Sequence, residues 1–147
     1  MAIVSNKRVK GSPNVHQYQE AAGGSADDFQ VGDLVKFDTS GELVIATAGA
    51  ILGIALKSAT GTASTYIPVD VLAPETEFSA VWTSEATTET LLNDIADFTF
   101  TTGAQVLTGA GTTDAIVVDF DDPVGDTSGR VIVRLIPAAS QLGDAAE

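Results

Sequence analysis

From Phe29 onward the stretch "FQVGDLVKFDTSGELVIATAGAILGIALKSA" places apolar and polar residues in short runs divided by turn formers. Val35 and Phe37 fall on one face of a strand with Lys36 and Asp38 on the other, the period of two expected of a half-buried strand. "DTSG" at 38–41 supplies a four-residue turn in which Gly41 can take positive φ. The return strand over 42–46 is apolar on both faces and reads as a central strand, and "TAGA" turns the chain into a third strand over 51–57. Gly53, inside that strand, marks a bulge or a close backbone approach. Residues 65–72 form a further strand, in which Pro68 donates no hydrogen bond and is therefore expected at an edge or a bulge; residues 77–82 continue the sheet.

Over 84–97 the period changes. Leu91, Leu92 and Ile95 recur at helical spacing behind Ser84, Thr87 and Thr88 as caps, with Glu85 and Glu89 near the positive end, so the pattern predicts one short helix. Strands resume with Ile116, Val118 and Phe120 on one face and Val131, Val133 and Leu135 on another, joined by the acidic turn "DDPVGDTSG" at 121–129. About seven short strands and one helix predict an all-β fold: a small β-barrel or sandwich-like (β-tulip-like) domain over 29–137. Residues 138–147 read as a frayed C-terminal tail, and Trp82 as a core residue.

Residues 1–28 read as an extended N-terminal arm. Gly11, Pro13, Gly23, Gly24 and Ser25 break any periodicity, and Ile3, Val4, Val9, Val15 and Tyr18 are its scattered apolar points. Such a segment buries too little to fold alone, which leaves two readings: a disordered tail, or a segment that orders on a partner, with Ile3, Val4, Val15 and Tyr18 as apolar anchors and Lys7, Arg8 and Lys10 facing an acidic surface.

Composition narrows the function classes. With 147 residues, 44% hydrophobic, one core is expected, and the lack of cysteine rules out disulfides and thiolate metal sites. The longest apolar run, 43–56, is interrupted by Gly49 and Gly53, and the first 25 residues lack a secretory apolar stretch, so the expectation is a soluble protein with no membrane partner. Net charge is −13, divided as +3 over residues 1–10 and −16 over residues 11–147, where four basic residues stand against twenty acidic ones. That acidic body repels phosphate, which argues against nucleic-acid binding.

Candidate chemistry is sparse. His16 is the sole histidine and lies in the arm, so neither a catalytic triad nor a His-rich metal site is available, and no catalytic, cofactor-binding or metal residue is assigned. Asp119, Asp121, Asp122 and Asp126 invite comparison with calcium loops, but the EF-hand spacing is absent and Pro123 sits where a ligand belongs; a solvated acidic turn is the simpler reading. Carboxylates such as Asp70, Glu75 and Glu77 lack a nucleophile and an orienting partner in the pattern. A receptor- or glycan-binding module remains as an alternative class, with little aromatic support from Tyr18, Tyr66 and Trp82.

The order "VGDLVKFDTSGELVIATAGAILGIALKSATG", then "YIPVDVLAPETEFSA", then "DDPVGDTSGRVIVRLIP" resembles the capsid decoration, or cement, proteins of tailed bacteriophages over about half the chain, residues 29–80 and 119–137. The resemblance implies a non-enzymatic structural virion protein, made in the host cytoplasm and placed on the outer surface of the capsid. There it would stabilise the shell by bridging neighbouring major capsid subunits, commonly as a homotrimer. Contact residues do not transfer from the family, so Ile3, Val4, Lys7, Arg8, Lys10, Val15 and Tyr18 stand as candidates on the arm's composition alone. Deleting residues 2–12 would then weaken shell attachment and leave domain unfolding nearly unchanged.

Overall fold

The computed structural model describes residues 6–11, 13–21, 28–61, 65–83 and 86–141, with backbone only at 109 and 110. Among the described residues eleven strands follow one another: β1 (Lys7–Lys10), β2 (Val15–Gln19), β3 (Leu34–Phe37), β4 (Leu43–Ile45), β5 (Gly53–Ala55), β6 (Tyr66–Val71), β7 (Glu77–Val81), β8 (Ile95–Thr99), β9 (Val106–Ala110), β10 (Ala115–Phe120) and β11 (Arg130–Leu135). They form two antiparallel sheets, ordered β1-β7-β11-β10-β8-β9 and β2-β6-β5-β3-β4. The protein is an all-β, sandwich-like domain.

Both sheets curl. Glu20, just after β2, meets Leu43 of β4 in a parallel bridge, and Trp82, just after β7, meets Leu107 of β9 in another. Single bridges bring the strands together without a ladder between them, so neither sheet is a closed barrel. The curl creates two cores. Phe78, Trp82, Phe98, Leu107, Val117, Val131 and Val133 fill the inside of the six-stranded sheet together with Leu34, Ile54 and Leu72 from the five-stranded one. Val35, Leu43, Ala55, Ile67 and Val69 point the other way and pack with Phe29, Leu52, Tyr18 and Phe37. Consecutive residues of β3 and β5 therefore enter different cores, which is why "LV" and "IA" read as unbroken apolar runs.

The first hairpin forms as expected: β3 pairs with β4, Asp38 Oδ1 accepts from the amides of Ser40 and Glu42, and Gly41 sits at φ +78°. Its return strand is not central, however. β4 is the last strand of its sheet, and the half-buried Val44 and Ile45 reflect that position. Gly53 is a close-approach glycine, since a Cβ there would collide with the carbonyl of Asp70 on β6. Pro68 lies within an interior strand rather than at an edge. Its carbonyl accepts from Leu56 N on the β5 side, so its missing N–H falls where β5 has ended and the ladder to β2 is untouched.

The predicted helix over 84–97 does not form. Ser84 and Glu85 lie outside the described residues; Glu89–Leu91 is a single 3-10 turn, and Ile95–Thr99 is strand β8. Only Leu91 of the helical stripe is buried, while Leu92 and Ile95 are exposed. The β-branched and aromatic run "IADFT" instead buries Ala96 and Phe98 at the period of two. In β10 the buried residues are Ala115 and Val117, not Ile116 and Val118; a register shift between Val117 and Asp119 then brings Phe120 back against the core.

Both predicted tails join the fold where they are described. β1 pairs with β7 and β2 with β6, so the arm passes from one sheet to the other. Its scarcity of apolar residues matters less than expected because existing strand edges satisfy its backbone. At the other end, Ile51 bridges Ser140, Ser140 Oγ donates to Leu72 O, and the Gln141 amide pairs with both main-chain groups of Phe37. Residues 142–147 lie outside the described residues.

Candidate partner-binding surface

The arm residues divide by their contacts. Ile3 and Val4 lie outside the described residues. Arg8 turns back onto its own domain: Nε donates to Asp70 Oδ2 at 3.1 Å and Nη1 to Gly11 O at 2.6 Å. The other Asp70 oxygen accepts from Asn14 N at 3.3 Å, so one buried carboxylate holds both ends of the crossover between β1 and β2. Tyr18 is likewise an internal anchor, packed edge-to-face on Phe37 with centroids 4.8 Å apart, and burial pushes its phenol above the usual range. His16 stacks beside it at 6.0 Å and shares a 2.9 Å hydrogen bond with Asn14 Oδ1. Arg8 and Tyr18 thus have partners inside the chain, where composition suggested contacts with another molecule.

Lys7, Val9, Lys10 and Val15 remain on the surface. Beside β1 runs a groove of about 320 Å³, lined by Asn6, Lys7, Arg8, Val31, Leu56 and Asp70 among others. Its position follows from the sheet order, because β1 sits on the six-stranded sheet while Leu56 closes β5 of the other. Asn6 is 3% exposed; its main-chain N and its Nδ2 both donate to Gly32 O, at 3.0 and 3.1 Å, and its Oδ1 has no partner. Val31 and Leu56 stand at the rim, 57% and 45% exposed. The residue pattern marks neither: Val31 is a single apolar side chain between Gln30 and Gly32, and Leu56 ends the apolar run of β5, which a strand-period reading assigns inward.

The acidic turn is engaged with its own chain. Asp121 Oδ2 accepts from Ser79 Oγ at 2.7 Å, Asp122 Oδ2 accepts from Arg130 N at 2.8 Å, and Arg130 Nε donates to Ser79 Oγ at 2.8 Å. Burial pulls the Arg130 guanidinium below its usual range, while Asp121 and Asp122 oppose that shift. Among the described residues no group of three or more His, Cys, Asp or Glu is arranged to hold a metal ion. Asp70 and Glu75 do not converge either; they line separate grooves, the second of about 310 Å³ with Arg134 on its wall.

Two buried aspartates brace the sheets. Asp114 accepts from Gly49 N at 2.8 Å through Oδ1 and from Phe98 N at 2.9 Å through Oδ2, and Asp33 accepts from Gln30 N and Gly103 N, each at 2.9 Å. Burial raises both above the ordinary carboxylate range, with these amides acting in the opposite direction. Their position inside the joint between the sheets makes them structural ties. Neither a protein-family model nor a curated protein matches the sequence.

Proposed function

We propose that the protein is a structural component of a tailed-phage virion that binds the outer face of the capsid and stabilises the shell by bridging neighbouring major capsid subunits. The ordered run of strand motifs supports this reading, and the observation that carries it is the basic strand β1, with Lys7 and Lys10 exposed on an otherwise acidic body. A two-sheet block braced by Asp33, Asp114, Gln105 and Gln141 suits a role that rests on geometry rather than reactivity. Oligomerisation, as a trimer in this proposal, would multiply weak single contacts into firm attachment, because later contacts form at high effective concentration. Mixing purified protein with undecorated expanded capsids of its own phage tests the reading. Stoichiometric co-sedimentation is expected, and its absence overturns the proposal.

A further inference from the structure

The groove beside β1 has features of a ligand site that packing alone does not explain. Asn6 is almost fully buried on its wall, yet Oδ1 has no hydrogen-bond partner. An unsatisfied buried carbonyl oxygen of this kind is costly. The rim residues Val31 and Leu56 expose apolar surface on either side. Charge distinguishes the place further: Lys7 and Arg8 line the groove and Lys57 follows the lining residue Leu56, three of the chain's seven basic residues, with Asp70 as the acidic lining residue. Arg8 is neutralised by Asp70, whereas Lys7 and Lys57 make no ion pair among the described residues.

We propose that this groove is a docking site for an extended acidic segment of a partner polypeptide. An extended backbone leaves its N–H and C=O groups free to pair with the polar groups of the groove, whereas a helix uses its own internally. Alternating side chains then place carboxylates toward Lys7 and Lys57 and apolar groups against Val31 and Leu56. The partner's identity as a shell subunit rests on the function proposed above; the ligand chemistry rests on the groove.

The full-length ¹⁵N-labelled protein, titrated at low salt with a blocked heptapeptide alternating Glu and Val and separately with its Lys/Val counterpart, provides the test. The Glu/Val peptide is expected to shift the amide signals of Asn6 (main chain and side chain), Gly32 and Leu56, with an affinity that falls as salt rises. The Lys/Val peptide is expected to leave them in place. A folded K7E/K57E variant is expected to bind the acidic peptide about tenfold or more weakly, the order of effect from reversing charges at a docking site. Equal response to both peptides, shifts confined to other surfaces, or concentration-dependent shifts of these same signals without peptide, which would mean that a second copy covers the groove, each overturn the proposal. Peptide binding without capsid co-sedimentation upholds the groove and removes the shell reading; co-sedimentation without peptide binding does the reverse.

Discussion

The side-chain amide of Gln105 pairs with both main-chain groups of Leu34: Nε2 donates to Leu34 O at 3.1 Å, and Leu34 N donates to Oε1. A buried side chain just before β9 thereby supplies the acceptor that a neighbouring strand would give to Leu34 N, and shares Leu34 O with Ala46 N. Replacing Gln105 with Ala leaves the buried Leu34 N unpaired, at about 1–3 kcal/mol, while Leu34 O keeps its hydrogen bond from Ala46 N. Urea unfolding of Gln105→Ala should show a lowered midpoint with an unchanged slope. A midpoint equal to that of the parent protein would mean that the pairing contributes nothing.

Glycine is required at Gly53 for space and at Gly41 for conformation, and the two requirements should separate experimentally. In Gly53→Ala the new methyl group meets the Asp70 carbonyl, so β5 and β6 must move apart, at about 1–3 kcal/mol or more. In Gly41→Ala nothing lies within 4 Å of the new carbon and only the φ of +78° opposes it, at about 1–2 kcal/mol. Thermal melts should rank Gly53→Ala below Gly41→Ala; the reverse order would contradict the close approach.

Asp33 and Asp114 have folded pKa values raised by burial. A raised carboxylate binds its proton more tightly in the folded than in the unfolded state, so stability from this source increases as pH falls from above the raised value to the ordinary value of about 4. Chemical denaturation at descending pH from 7 should show this gain. Asp114→Asn should reduce the slope, because its side chain no longer titrates. It should also be less stable near pH 5, since its NH₂ must face one of the two amides, Gly49 N or Phe98 N, that Asp114 accepts from. A variant slope identical to that of the parent would show that Asp114 does not contribute.

Arg8 and Asp70 fasten the arm. In Arg8→Ala the 6%-exposed Asp70 loses its ion pair, and β1 loses its tie to the opposite sheet. Hydrogen exchange at the β1 amides that bond to β7 should accelerate by at least about tenfold, corresponding to roughly 1.4 kcal/mol of lost protection. Deleting residues 2–12 removes β1 itself and uncovers the edge of β7. That truncation should lower the unfolding temperature, contrary to the expectation from the arm's composition. Unchanged exchange in Arg8→Ala or unchanged melting of the truncation would return the arm to the status of a tail.

Much of the architecture was legible in local pattern. Alternation around Val35 and Phe37, the 38–41 turn, the crowded Gly53 and the buried face Val131, Val133 and Leu135 all depend on interactions among near neighbours or on one side chain's absence. The expected helix over 84–97 gives way because Leu91, Leu92 and Ile95 carry a weak helical period, while the strand signal of "IADFT" becomes decisive only when β10 and β9 are present to pair with it. The arm orders for a related reason: its low apolar content does not register the strand edges of β6 and β7 that receive it. Of the candidate surface, Lys7 and Lys10 were visible as a charge cluster. Asn6, Val31 and Leu56 were not, because the groove joins residues 6–8, 31–32, 54–56 and 70, which are well apart along the chain.

What the amino-acid order determined by itself was class and charge: short β-rich segments, glycine-bearing turns, an acidic body and a basic beginning. Only the tertiary structure decided that the strands divide into two curled sheets with separate cores, that the arm crosses between them, and that Arg8 faces inward while Lys7 faces out. Propensity and periodicity act over a few residues, whereas strand partners and buried polar ties such as Gln105 with Leu34, 71 positions apart, are chosen by the packing of the whole chain.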